Sequence, residues 1–343
     1  MTNAIKNKIQ KVISELELNL KGKVVLTEAA TGAYVVTPVI AAAAGAKVYA
    51  FTQNTKYGSI EDVKKQTNEI ANLFENLDIQ IIDKLTPEIV STVNIITNSG
   101  HLRPIDKDKL KYVKKGAVIS YMYEAWEYRE GDLDLEYCKQ NDIIVAATNE
   151  RHPNIDVFNY LGELAVKQIH DAGKCLFKNK FIIISNNDFG YHIAKTLVKL
   201  CDKVGVIDLE QNKNKYPDEA EWLGIFPDVN IPENYKDAEA VIFTAYPFEH
   251  TWMQRDGDIK AESFAKLENP LILRYAGHLD TVYLDEHAIA YYPEFVKSGH
   301  MGILLSEIGN DSIVRLQAGG LKVGELMSRG ELMFKNINIA ELL

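Results

Sequence analysis

Residues able to hold a phosphate and a sugar fall together in one stretch of this chain. An apolar run, Lys180-Phe181-Ile182-Ile183-Ile184, passes into Ser185-Asn186-Asn187-Asp188-Phe189-Gly190 and then into an amphipathic run ending near Leu197. A second apolar run, 203–208, closes on Asp208. Strand, tight turn, helix, strand is the order of a dinucleotide-binding βαβ unit. In such a turn the first glycine makes the bend, the second lets backbone meet the pyrophosphate, and the third lets helix lie on strand. Here Ser185 and Asn187 hold the first two places and Gly190 the third. Asparagine tolerates unusual backbone angles, so the turn can form. A side chain nevertheless stands where the pyrophosphate would lie, and Asp188 adds a negative charge beside it. Asp208 lies about 20 residues on, where an acid accepts from a ribose hydroxyl and favours NAD over NADP. The expected cofactor contacts are Ser185, Asn187, Phe189, Gly190 and Asp208, with Thr244 and Tyr246 after strand 240–243 and Tyr275 after strand 271–274. The alternative is a βαβ unit that is scaffold only, with Asp208 a turn residue.

His300, in Gly299-His300-Met301-Gly302, is the leading acid/base candidate, because imidazole titrates near neutrality. Its bland counterpart is a structural histidine capping the last helix. Asn98-Ser99-Gly100-His101-Leu102-Arg103 offers backbone donors, a histidine and an arginine to an anionic group. Asn98, Ser99 and Gly100 are expected to touch substrate, and His101 and Arg103 to join the catalytic set. Thr148-Asn149-Glu150-Arg151-His152 ends another strand, and Asn149, Arg151 and His152 are expected substrate contacts. Thr27, Glu28, Thr31 and Gly32 surround a helix start, where Thr31 can be only an N-cap. For each cluster the competing explanation is capping and turn chemistry. The histidines share no short spacing, so no metal site is expected. No phosphate-binding P-loop and no Gly-x-Ser-x-Gly elbow is present.

Positioning these groups takes alternating strands and helices. Strands are expected at 23–26, 47–51, 80–82, 93–97, 117–120 and 143–146, with helices at 3–18, 60–76, 107–113 and 134–140 and from the polar turn at Gly32 to Gly45. A long helix at 155–172 precedes the opening unit, strands 240–243 and 271–274 follow it, and a helix at 303–328 closes the chain. Such alternation means doubly wound parallel sheets with ligands at the carboxyl ends of the strands. The 343 residues suffice for two domains, and 46% hydrophobic with 25% charged is ordinary globular composition. A net charge of −10 argues against nucleic acid as partner. No apolar run approaches a membrane span of about 18 residues, and the first residues are polar, not a secretory signal. The three cysteines, Cys138, Cys175 and Cys201, are widely spaced and fit reduced thiols in a cytoplasm.

The order of elements resembles the D-2-hydroxyacid dehydrogenase (formate/glycerate dehydrogenase-like) superfamily from about Val93 onward. Gly131-Asp132-Leu133-Asp134-Leu135-Glu136-Tyr137, leading into Ile143-Ile144-Val145, looks like that family's Gly-Val-Asp-x-Ile-Asp-Leu passage. Helix 155–172 looks like its interdomain helix, and His300-Met301-Gly302 like its Pro-His-Ile-Gly, with Gly299 replacing the proline. Residues 23–58 are also reminiscent of adenosylhomocysteinase-like members. The resemblance implies a flavodoxin-like substrate domain, 1–152 and 300–343, around an inserted Rossmann domain, 153–299, with dimerisation through the first helix and helix 155–172. The family's substrate arginine aligns on Ala276, leaving Arg274 two residues early, and its glycine-rich carboxylate loop is replaced by bulky Tyr121-Met122-Tyr123-Glu124-Ala125-Trp126. Glu124 therefore joins the catalytic candidates, and the loop suggests a larger or cationic ligand such as an amino acid derivative. The expectation is a cytoplasmic NAD-dependent oxidoreductase acting on a small polar metabolite in the cleft between the domains, with His300 as acid/base. The alternatives are a lyase, hydrolase or transferase, or a silent ligand-binding protein, on the same fold.

Overall fold

The computed structural model describes residues 2–343, which divide into two compact units: residues up to 157 with 309–343, and residues 158–308. The first carries strands β1 (Val24–Glu28), β2 (Lys47–Phe51), β3 (Ile79–Ile82), β4 (Ile95–Thr97), β5 (Val118–Tyr121) and β6 (Ile144–Thr148). All are parallel, in the order β3-β2-β1-β4-β5-β6, and the C-terminal strand Ala340–Leu342 joins β6 antiparallel. The order reverses between β1 and β4. This is the doubly wound order of dinucleotide-binding sheets, and without edge strand β3 it reduces to the flavodoxin-like order.

The second unit repeats the pattern. Strands β7 (Lys180–Ser185), β8 (Lys203–Asp208), β9 (Glu221–Ile225) and β10 (Ala240–Thr244) are followed by strands Leu271–Ala276 and Ala290–Tyr292. From one side of this parallel sheet to the other run β9, β8, β7, β10, Leu271–Ala276 and Ala290–Tyr292, reversing between β7 and β10. The continuous apolar runs explain both sheets. Phe181, Ile182, Ile183 and Ile184 are fully buried, as a parallel strand covered on both faces requires.

Helix Asp311–Met327 closes the first unit. A Cβ added at Gly319, Gly320 or Gly324 would lie 2.7, 2.4 or 2.6 Å from Ile155, Met122 or Ile95, so glycine lets it lie close to its neighbours. Lys322 and Glu325 on it are buried as an ion pair, and Glu325 also accepts from Asn19 N and Arg329. Among the described residues no helix is long and apolar enough to cross a membrane.

The boundaries differ from expectation. Residues 153–157 stay with the first unit because Ile155 packs on Gly319 and Val157 N donates to Glu150 O. The expected helix 155–172 is a 3-10 turn, Phe158–Tyr160, and a helix, Leu161–Asp171. The closing helix begins only at Asp311, after Gly309 at φ 107°. Residues 300–308 belong to the second unit, because Gly302 N donates to Tyr275 O and its Cα sits against the Arg274 carbonyl. His300 therefore travels with the second sheet.

Candidate functional site

Each sheet gathers its polar candidates at its own reversal point. In the first unit the carboxyl ends of β1, β4, β5 and β6 converge. Buried hydroxyls of Thr27, Thr97 and Ser99 form a chain, 2.8 and 2.6 Å between oxygens. Asn98 is fully buried; its Oδ1 accepts from Met122 N at 2.7 Å, while its Nδ2 has no partner among the described residues. Gly100 lets the chain pass Glu28, whose Oε2 accepts from His101 N at 2.9 Å. That donor, which the sequence offered to an external anion, is thus taken by an internal one. Arg103 pairs with Asp132 at 2.8 Å.

The loop after β5 carries Glu124 and Glu127 into contact with the end of β6. Glu124 accepts from Glu150 N and from Arg151 Nη1, both at 2.7 Å. Burial nevertheless outweighs these partners and raises its carboxyl above the usual range. Glu127 caps the turn by accepting from Glu124 N at 3.3 Å. Burial, reinforced by the Glu124 charge, pushes the Glu127 carboxyl up to about 7. Glu150 is 7% exposed, and its carboxyl has no hydrogen bond or ion pair among the described residues. Burial first, then the Glu127 and Glu124 charges, push it well up. Two carboxyls that repel in a dry setting hold a proton at neutrality. Tyr34 and Tyr123 lie within electrostatic reach of Glu28, Glu150 and Arg103, and burial keeps both phenols protonated.

The second unit's reversal point is closed on itself. Ser185 Oγ accepts from Asn187 N at 3.2 Å, and Asn187 Oδ1 accepts from Phe189 N at 2.9 Å. Asn187 Nδ2 faces the carbonyl of buried Thr244, and Asn186 exchanges two 2.8 Å bonds with the Tyr246 backbone. Asp208 is fully buried; it accepts from Leu209 N at 2.6 Å, Asn212 Nδ2 at 3.1 Å and the Tyr216 hydroxyl. Burial still raises its carboxyl. A Cβ on Gly190 would meet that hydroxyl at 2.2 Å and Ser185 Cβ at 2.7 Å, so Tyr216 is seated on the turn itself.

Several expected residues make contacts within the fold. Tyr275 donates to Leu161 O at 2.9 Å, and Phe189 packs against Phe158, Phe248 and Tyr275. Arg274 spends Nη1 on the carbonyls of Pro293 and Glu294, at 3.1 and 2.9 Å, which anchors the segment leading to His300. Asn149 holds the C-terminal segment through Asn338 O at 2.7 Å. Buried His152 engages both ring nitrogens, with Asn154 N and Phe334 O. Of the 149–152 cluster, Arg151 alone among the three expected contacts reaches the acids. Glu127, Tyr34 and Tyr123 also stand at this edge and were not among the expected residues; the Glu124-x-x-Glu127 spacing after a strand was the available signal for Glu127.

No family profile and no curated protein matches the sequence. Solved structures do match. A dipicolinate synthase component from Bacillus halodurans is 11% identical at TM-score 0.54, over 91% of this chain and 98% of its own. A dipicolinate synthase structure from Bacillus subtilis is 14% identical at 0.54, over 91% and 97%. D-lactate dehydrogenase with NAD+ from Lactobacillus jensenii is 12% identical at 0.51, over 93% and 100%. At these identities the likeness is one of fold: the chain has the two-sheet fold found in these dipicolinate synthase and D-lactate dehydrogenase structures.

Proposed function

We propose that this chain is an oxidoreductase-like enzyme that binds NAD on its second unit and acts on a small polar metabolite. The observation that carries the proposal is the β7–turn–helix–β8 unit at the reversal point of the second sheet, ending on the buried acid Asp208. Likeness of fold to a D-lactate dehydrogenase described with NAD+ supports it.

The fit of the cofactor turns on Tyr216. Asp208 would accept from the ribose, and its oxygens are supplied internally by Leu209, Asn212 and Tyr216. A ribose hydroxyl would take the place of the Tyr216 hydroxyl as donor to Asp208, so entry would require that side chain to turn away. Bound there, NAD supplies the hydride acceptor. His300 serves as the proton acceptor or donor, and Arg274 positions its loop through the Pro293 and Glu294 carbonyls.

Titrating the purified chain with NADH and following nucleotide fluorescence tests the proposal. A saturable change is expected; no binding at millimolar NADH overturns it. His300→Asn should lose turnover and keep NADH binding. A second reading, a non-redox enzyme on the same fold, is favoured by the grip of Tyr216 on Asp208 and by the side chains at two glycine places. Turnover without any nicotinamide would decide for it.

A further inference from the structure

We propose that the second unit carries a further binding site, for a sugar phosphate, in a cavity of about 600 Å³ lined by Arg255, Lys260, Glu262, Tyr283 and His287. None of these residues belongs to the β7–β8 turn or to the partners of Asp208, so the site goes beyond the nucleotide reading.

Two segments build the cavity. After strand Thr251–Met253 the chain folds back on itself: Gly257 N donates to Gln254 O at 2.9 Å, and buried Ile259 donates to Trp252 O at 3.1 Å. Helix Thr281–Glu286 supplies the other wall. Arg255 Nη2 on Glu286 at 2.9 Å and Ala261 N on the Tyr283 hydroxyl at 3.2 Å tie the two together.

The cavity holds more donors than the protein uses. Tyr283 is 5% exposed; its hydroxyl accepts from Ala261 N, and its own proton has no acceptor among the described residues. A buried hydroxyl proton without an acceptor is unfavourable. Lys260 spends one of its three N–H groups, on Arg255 O at 2.8 Å. Arg255 gives Glu286 only Nη2, and both side chains are exposed, so this pair yields readily to a ligand. Three donor side chains match the three oxygens of a phosphate monoester better than the two of a carboxylate, and two cations match its charge. Acceptors stand beside them. The Glu262 carboxyl has no hydrogen bond or ion pair among the described residues. His287 donates Nδ1–H to Tyr283 O at 2.8 Å, which leaves Nε2 of the neutral ring as an acceptor. Both acceptors suit sugar hydroxyls, and the volume suits a small metabolite. Of the acids on the same loop, Asp258 pairs with His250 at 2.6 Å, and neither it nor Asp256 lines the cavity.

Calorimetry and thermal shift on the full chain test the proposal, with glucose 6-phosphate as probe and glucose, gluconate and inorganic phosphate as comparisons. Glucose 6-phosphate should raise the melting temperature. Glucose should not, and gluconate and phosphate should bind about tenfold more weakly. Arg255→Gln and Lys260→Gln alter exposed side chains, should melt as wild type without ligand, and should each weaken binding about tenfold. Lys266→Gln removes the same charge outside the cavity, where Lys266 holds Asn230, and should leave binding unchanged. Absence of binding at millimolar glucose 6-phosphate, undiminished binding by both cavity variants, an equal loss in Lys266→Gln, or tighter binding of gluconate overturns the proposal. Displacement of NADH by glucose 6-phosphate, followed by nucleotide fluorescence on the same samples, also overturns it. A chain that binds glucose 6-phosphate through Arg255 and Lys260 but does not bind NADH refutes the nucleotide reading alone.

Discussion

The two sheets share one strand order and differ in what lies at their reversal points. At β7/β10 every prominent polar group is answered from within: Asn186 by Tyr246, Asn187 by Phe189 and Thr244, and Asp208 by Leu209, Asn212 and Tyr216. At β1/β4 and its neighbours the hydroxyl chain is complete, but the Nδ2 of Asn98 and the Glu150 carboxyl have no hydrogen-bond partner among the described residues. A fold fixes where polar strand ends gather. The local side chains decide whether that gathering is finished by the protein or left for a ligand.

Replacing an acid by its amide at each edge should give opposite signs, the largest effect in the comparison. Asp208→Asn confronts its three internal donors with an amide and should cost roughly 3 kcal/mol of stability in urea unfolding. Glu150→Gln removes an unanswered acid and should raise the melting temperature above neutral pH by roughly a few degrees. A loss at Glu150 as large as that at Asp208 would break the comparison.

The glycines come next. Gly190→Ala drives a methyl to within 2.2 Å of the Tyr216 hydroxyl and should cost about 2–3 kcal/mol. Gly100→Ala meets the Glu28 carboxylate at 3.1 Å and should cost about 1 kcal/mol or less. Equal penalties in thermal unfolding would mean that both turns are equally closed.

The pH response of stability reports on the open edge. The Glu127 carboxyl keeps its proton to about 7 in the folded chain, against an ordinary value of 4.5. Between these values the folded state binds more protons than the unfolded state, so this contribution is complete below 4.5 and is lost as pH rises through 7. Its size is on the order of 1–3 kcal/mol. Glu127→Gln should flatten that slope in denaturation curves taken across the window; an unchanged slope assigns it to other groups. The smallest effect is at the closed edge: Tyr216→Phe removes the donor that competes for Asp208 and should tighten NADH binding about fivefold. Weaker binding would make Tyr216 a cofactor contact.

Much of this was legible in the sequence. The βαβ turn, Asp208 and the polar strand ends all follow from apolar runs broken by polar residues, and both sheets have the expected class. Tyr216's grip was not, because it depends on a 3-10 turn, Glu210–Lys215, bringing the ring back onto Gly190. Nor was the contact of Glu124 with Glu150 N: they follow different strands, and only the adjacency of β5 and β6 brings them together. Strands Glu221–Ile225, Ala290–Tyr292 and Ala340–Leu342 were missed because the first holds a glycine, the second is only three residues long, and the third is short, holds Glu341 and pairs with β6, distant in sequence. His152 looked available in the chain and is consumed by the backbone of Asn154 and Phe334.

The central claim is that burial outweighs the partners the protein supplies and keeps a carboxyl proton near neutrality at the first sheet's edge. Infrared titration of the carboxyl C=O stretch, comparing wild type with the Glu127→Gln/Glu150→Gln double variant, tests this most directly. The account predicts a protonated-carboxyl band in wild type at about pH 6.5, far above the ordinary carboxyl range, and its absence in the double variant. Full ionisation of the wild-type carboxyls by about pH 5.5, or a band that survives both substitutions, would contradict it.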